Sequence, residues 1–182
     1  MKLIALDQSS TATGYSVFVD GSLVDYGLIK PKASKKVDKI TLKQSDHLYE
    51  ILMPEEMYNT TLLRITAIVD IVASIFSENE PDVCYFEEIY QNSNVSGFRS
   101  LARLQGFIAH LCHTCDVEYY IIEESKWINH HGTYSSKEDR KMRKADIMKK
   151  MNEKYGLTIT VDDISDSIAI GDYAVAQEEK EK

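Results

Sequence analysis

The sequence predicts an α/β fold in which a mixed sheet of five strands is covered by helices. Three observations carry that expectation. The chain opens with apolar runs at 2–7, 13–19 and 22–29, the last two joined by Asp20-Gly21, a dipeptide suited to a two-residue hairpin. From about residue 55 onward, apolar residues recur at spacings of three and four, in stretches interrupted by two further short apolar runs at 83–87 and 117–122. Finally, 182 residues suffice for one domain that buries ~70% of its unfolded surface and needs no covalent staples.

Taken in order, three antiparallel strands come first. A polar, Lys-rich segment without a clear period follows at 31–47, and the whole stretch 31–54 reads as an insertion. Leu62, Ile65, Val69, Val72 and Phe76 then mark an amphipathic helix from about Glu55 to Glu78, with Pro54 in its first turn. After strand 83–87, Leu101, Leu104, Ile108 and Leu111 line one face of a helix from about Ser96 to His113. Beyond strand 117–122 come a short segment around Lys126-Trp127, a basic helix from about Ser136 to Tyr155 stopped by Gly156, and a final helix from Asp163. Residues 176–182 read as a solvated, charged tail.

Carboxylates stand at the ends of these elements. Asp7 closes the first strand before a Ser/Thr/Gly turn; alone, it is equally well explained as a turn cap. The run Asp82–Tyr90 also ends in acid, at Glu87 and Glu88, whose side chains point to opposite faces of a strand, so that only one can join Asp7. Asp163 and Asp166, three apart, share a helix face, while Asp162 occupies the place expected of an N-cap. Four acids converging would raise one another's pKa, so their natural occupant is one or two divalent cations. An all-oxygen donor set suits Mg²⁺ or Mn²⁺.

With these pieces the chain resembles the RuvC-type Holliday junction resolvases, including phage-encoded members. The matching segments are Leu6-Asp-Gln-Ser-Ser-Thr-Ala-Thr-Gly-Tyr-Ser-Val17, Phe86-Glu-Glu-Ile-Tyr-Gln-Asn-Ser-Asn94, Ser100-Leu-Ala-Arg-Leu-Gln-Gly106 and Asp163-x-x-Asp166-Ser-Ile-Ala169, in the family's order. The resemblance implies a ribonuclease H-like fold and a homodimer. It implies a crossover junction endodeoxyribonuclease that uses two Mg²⁺ or Mn²⁺ ions to resolve four-way or other branched DNA by paired symmetric nicks, leaving 5′ phosphate and 3′ hydroxyl ends. It places the metal-holding carboxylates on Asp7, Glu87, Asp163 and Asp166, favouring Glu87 over Glu88. Lys126 and Lys144 match basic positions near the scissile phosphate, Lys144 in a catalytic role, and Tyr90 matches an aromatic that probes the junction centre. Three departures stand out: Ser9 where the family has Gly, the insertion, and a net charge of −8.

That charge argues against indiscriminate DNA binding, because phosphate affinity comes from Lys and Arg displacing counterions. Its distribution is uneven. Residues 137–150 carry seven basic and three acidic side chains, with Lys141 and Arg143 as candidate phosphate contacts beside Lys144, although such a run can also be a solvated helix face. Three cysteines, no secretory signal and no membrane-length apolar run suit the cytoplasm of a bacterial or phage-infected cell, with no membrane partner and no small-molecule cofactor. Cys112 and Cys115, with His110, form half a zinc pattern and lack a second ligand pair. Gly106 permits close helix approach, either to a second copy or to its own sheet. His130 and His131 could assist catalysis or lie in a loop.

Two other functions fit part of the pattern. A sugar kinase or actin-like ATPase shares an N-terminal Asp-x-Gly-Thr/Ser hairpin, but needs a second such domain. A non-catalytic junction-binding protein would share the fold without needing all four acids.

Overall fold

A computed structural model describes residues 1–91, 94–133 and 140–180. The first three strands are β1 (Lys2–Asp7), β2 (Thr13–Val19) and β3 (Ser22–Ala33). Asp20 and Gly21 both take positive φ, 49° and 79°, which is the backbone a tight hairpin with right-handed strand twist requires. Next come β4 (Thr41–Ser45) and β5 (Leu48–Met53), then α1 (Glu55–Asn59), α2 (Thr61–Asn79), β6 (Val83–Glu87), α3 (Val95–Thr114) and β7 (Glu118–Ile122). The chain continues through α4 (Glu124–His130), α5 (Arg140–Tyr155) and α6 (Asp162–Glu178).

The described strands form a 7-stranded sheet, β4-β5-β3-β2-β1-β6-β7. The mixed sheet flanked by helices is as expected; the strand count is seven instead of five. The difference lies in the insertion. Residues 41–53 fold as the β4–β5 hairpin, which joins the sheet by parallel pairing of β5 with an unusually long β3. β4 is exposed along almost its whole length, so it carries no period-2 hydrophobic alternation for the sequence to display.

Other boundaries moved for local reasons. The helix expected over 55–78 is broken at Thr60, whose backbone is extended (φ −86°, ψ 102°) and whose Oγ1 donates to Glu56 O at 3.0 Å. Pro54 caps α1 from outside its first turn, and Leu62 lies exposed just after the break. Lys126 and Trp127 sit on a true helix, α4. The final helix continues to Glu178, into the stretch expected as tail, where Glu178 Oε1 accepts from Tyr85 Oη at 2.8 Å. Asn92, Ser93, the start of the basic segment at 134–139 and the last two residues lie outside the described residues.

β1 is central, antiparallel to β2 and parallel to β6. Strand alternation divides its side chains between two cores. Ile4 and Leu6 face α2 and α3, together with Cys84 and Phe86 of β6 and Cys112 of α3. Leu3 and Ala5 face α4, α5 and α6, together with Val83 and Tyr85. α6 is buried on nearly every side from Ile164 to Val175 and lies directly over β1 and β2. It comes that close because β2 offers it small surfaces: Ser16 Oγ donates to Ser167 O at 2.8 Å, and a Cβ added at Gly14 would stand 1.8 Å from Asp163 O. Among the described residues, no helix is long and apolar enough to cross a membrane.

Candidate active site

The alternation that sorts the two cores also aims the acids. Asp7 continues the Leu3/Ala5 series and Glu87 the Val83/Tyr85 series, so both side chains emerge on the α6 side. Parallel pairing of Leu6 with Phe86 brings the two strand ends to the same level. Glu88, just beyond the end of β6, does not line the pocket; its Oε1 accepts from Ile89 N at 3.2 Å. The first turns of α6 supply Asp163 and Asp166 over the same spot. A cavity of about 270 Å³ is thus lined by Asp7, Glu87, Asp163 and Asp166 together with Gln8, Trp127, Arg140, Arg143 and Lys144.

These carboxylates strain against one another. Burial pushes the Asp7 carboxyl well above the usual range, and the charges of Asp166, Glu87 and Asp163 push it further. Burial raises Glu87 to about 7, with Glu124 adding to the effect and the Trp127 hydrogen bond opposing it. Asp166 is pushed up to about 6, chiefly by burial against the pull of Lys144, and Asp163 is raised by burial and by Asp162. Two pocket oxygens, Asp166 Oδ1 and Gln8 Oε1, are buried without a hydrogen-bond partner among the described residues. Mutually repelling carboxylates beside unsatisfied buried acceptors are what a hard divalent cation would relieve. Asp7, Glu87, Asp163 and Asp166 therefore fit such an ion, with Gln8 able to assist through Oε1.

Of the basic candidates, two reach the pocket. Lys144 Nζ lies 2.5 Å from Asp162 Oδ2 and 3.5 Å from Asp166 Oδ2. Burial alone would lower its pKa; the hydrogen bond to Asp162 and the charges of Asp166, Asp162 and Asp7 outweigh that and hold it up. Asp162 is consequently no N-cap. Val161 takes that place, and Asp162 sits in the first turn as the partner of Lys144, its own carboxyl held low by that contact. Arg143 Nη2 is 2.5 Å from Glu124 Oε1.

The others stand apart. Lys141 lines a neighbouring groove between α5 and the start of α6. Lys126 is 55% exposed, 4.0 Å from Glu123 Oε1 and outside the pocket. Tyr90 follows β6 on the surface, 58% exposed. Cys112 is buried in the core and Cys115 exposed at the end of α3. Gly106 faces open space, with nothing within 4 Å of an added Cβ, so it does not serve packing on its own sheet.

Sequence reasoning missed the groups that hold Glu87. Trp127 Nε1 donates to Glu87 Oε2 at 3.0 Å, and the amides of Gln8 and Gln105 both donate to Glu87 O, at 2.9 and 3.1 Å. Trp127, the chain's one tryptophan, and Gln8, the direct neighbour of Asp7, were visible signals. Trp127→Phe keeps the buried ring but removes the donor, so the pocket's affinity for a divalent cation is expected to fall by ~10–100-fold. A Mn²⁺ titration checks this; an unshifted affinity would leave Trp127 as packing alone.

A second group of ligand-type side chains lies elsewhere: His130, His131 and Asp172 bring three ligand atoms within 4.8 Å of one another.

No protein-family model matches the chain, and no curated protein matches it by sequence. Solved structures do match over nearly its whole length. Thermus thermophilus RuvC in complex with Holliday junction substrate aligns with a TM-score of 0.66 at 13% identity, covering 98% of this chain and 96% of that one. The chain has the RuvC fold. A second Thermus thermophilus RuvC structure aligns at 0.64 and 14% identity, covering 99% and 97%. Fowlpox virus resolvase with Holliday junction DNA aligns at 0.57 and 14%, covering 98% and 99%. At such identities the likeness concerns the RuvC fold, and function must come from the pocket itself.

Proposed function

We propose that this chain is a metal-dependent endonuclease that resolves four-way or other branched DNA junctions, acting as one nuclease domain in a homodimer. The observation that carries it is the convergence of Asp7, Glu87, Asp163 and Asp166, from two adjacent strand ends and one helix start, in a pocket rimmed by Arg140, Arg143 and Lys144. The RuvC fold, shared with proteins solved in complex with Holliday junctions, supports the choice of substrate.

The four carboxylates would hold one or two Mg²⁺ or Mn²⁺ ions, which supply Lewis acidity for in-line displacement at phosphorus. Trp127 and the Gln8 and Gln105 amides fix the Glu87 end of the site. Lys144 and Arg143 line the pocket while paired to Asp162 and Glu124, and there they would meet phosphate oxygens and stabilise charge that develops on them. Tyr90, exposed on the surface just after β6, is the candidate for stacking on an unpaired base. The open face of α3 around Gly106 supports the dimer, and two sites related by a two-fold axis suit paired nicks across a symmetric junction.

Incubating the protein with a synthetic four-way junction and with linear duplex of the same sequence, with and without Mg²⁺, tests the proposal. Metal-dependent, symmetric cutting of the junction alone is expected. Equal cutting of duplex would remove junction selectivity, and tight binding with no cutting under any divalent metal would favour a non-catalytic junction binder.

Arg143 and Lys144 are already paired to acids, whereas Arg140 and Lys141 are exposed and, among the described residues, have no acidic partner, so both could also track the backbone. Replacing both with Gln is expected to weaken junction binding and to lower the log–log salt slope by ~1.8, or ~0.9 per lost phosphate contact. Binding measured over a salt series checks it; an unchanged slope would make this stretch a solvated face.

A further inference from the structure

Outside the acidic pocket, the end of α4 meets the middle of α6. His130 Nε2 lies 4.0 Å and His131 Nδ1 3.8 Å from Asp172 Oδ2. Donor atoms around a tetrahedral zinc ion stand ~3.3 Å apart, given bonds of about 2.0 Å, so small side-chain rotations would close this triangle onto a metal.

The surroundings hold each group ready to ligate. His131 Nε2 lies 2.9 Å from Ala169 O and donates to it, which leaves Nδ1, on the Asp172 side, as the lone-pair nitrogen. Asp172 Oδ1 accepts from Lys154 Nζ at 2.6 Å and from the Tyr155 hydroxyl, so Oδ2 is the oxygen turned to the imidazoles. Burial favours the neutral form of His131, the form that can ligate. The side chains of His131 and Asp172 are 6% and 7% exposed and that of His130 30%, so an ion would enter from the His130 side.

We propose that His130, His131 and Asp172 bind a zinc ion, or another divalent metal of similar softness, which pins the end of α4 to α6. Two imidazoles and one carboxylate distinguish this site from the all-oxygen pocket that suits Mg²⁺. A water molecule completes the coordination. The ion would act at a distance, since α4 also carries Trp127, the donor to Glu87, and Glu124, the partner of Arg143. The site stands whatever reaction the acidic pocket performs.

Metal-free, full-length protein is titrated with Co²⁺ in the presence of a large excess of Mg²⁺. One equivalent should develop the intense visible absorption of a four- or five-coordinate ion, and one equivalent of Zn²⁺ should displace it. His130→Asn, at a partly exposed position, should weaken Co²⁺ binding at least about tenfold. Melting without metal checks that this variant folds, and Asp172→Asn gives a second variant with the same expected loss. Any of three results overturns the proposal: no visible band, as when Asp172 merely pairs with protonated histidine; a band that persists in folded His130→Asn; or thiolate charge-transfer absorption, which would assign the metal to the cysteines.

Discussion

Asp7→Asn is expected to abolish junction cutting while making the metal-free protein more stable. Asp7 stands at the centre of the acidic pocket, where burial and the charges of Asp166, Glu87 and Asp163 all oppose its ionisation. A group whose folded-state pKa is raised costs stability once it is ionised at neutral pH, so a neutral isostere removes that cost. The same change takes away the carboxylate best placed to share a cation with the other three. Loss of several kcal/mol of transition-state stabilisation corresponds to a rate at least ~10³-fold lower. Junction binding should stay intact or tighten, because one negative charge facing phosphate is gone. Single-turnover cleavage, melting with and without Mg²⁺, and junction binding measure the three effects. Full activity in Asp7→Asn would end the assignment, and Glu88→Gln, outside the pocket, serves as the silent control.

Gly14→Ala should do comparable damage without altering any charge. Space is the constraint there: the added Cβ would stand 1.8 Å from Asp163 O and 2.5 Å from Asp163 C, both backbone atoms that no rotamer change can move. Overpacking commonly costs 1–3 kcal/mol. A rigid neighbour argues for the upper end, which for a chain of this size lowers the melting temperature by ~6–12 °C. Because Gly14 pairs with Asp7 across β1 and β2, the start of α6 can escape only by moving Asp163 away from Asp7. A shift of about 1 Å in a reacting constellation costs ~10²-fold in rate. Cleavage assayed well below the lowered melting point separates the two effects; a variant that melts normally and cuts normally would show the helix start to be compliant.

The parts of the site that depend on period and position were legible in the sequence. Strand alternation admitted only one of Glu87 and Glu88 beside Asp7, and helical spacing put Asp163 and Asp166 on one face; the choice of Glu87 came from the resemblance, and the meeting of the two pairs needs β1 beside β6, which spacing alone does not display. The β4–β5 hairpin was not legible, because an edge strand with solvent around it need not alternate. The break at Thr60 was hidden by apolar spacing that runs straight through it. Asp162 was misjudged because capping is a local preference, whereas its actual partner, Lys144, lies on another helix. Trp127 was passed over for the same reason: its link to Glu87 spans 40 positions and exists only once α4 docks.

The burial of α6 on nearly every side divides the pocket into two mechanical halves. Asp163 and Asp166 ride on a helix whose neighbours from Ile164 to Val175 are built into the core, so this half can loosen only when the whole molecule opens. α5, opposite, buries only Ile147 and Met151 among its described residues and can shift or fray by itself. The acidic floor is thus an anvil, fixed before any substrate arrives, and adjustment to the bent or branched backbone proposed as substrate would fall to the cationic wall.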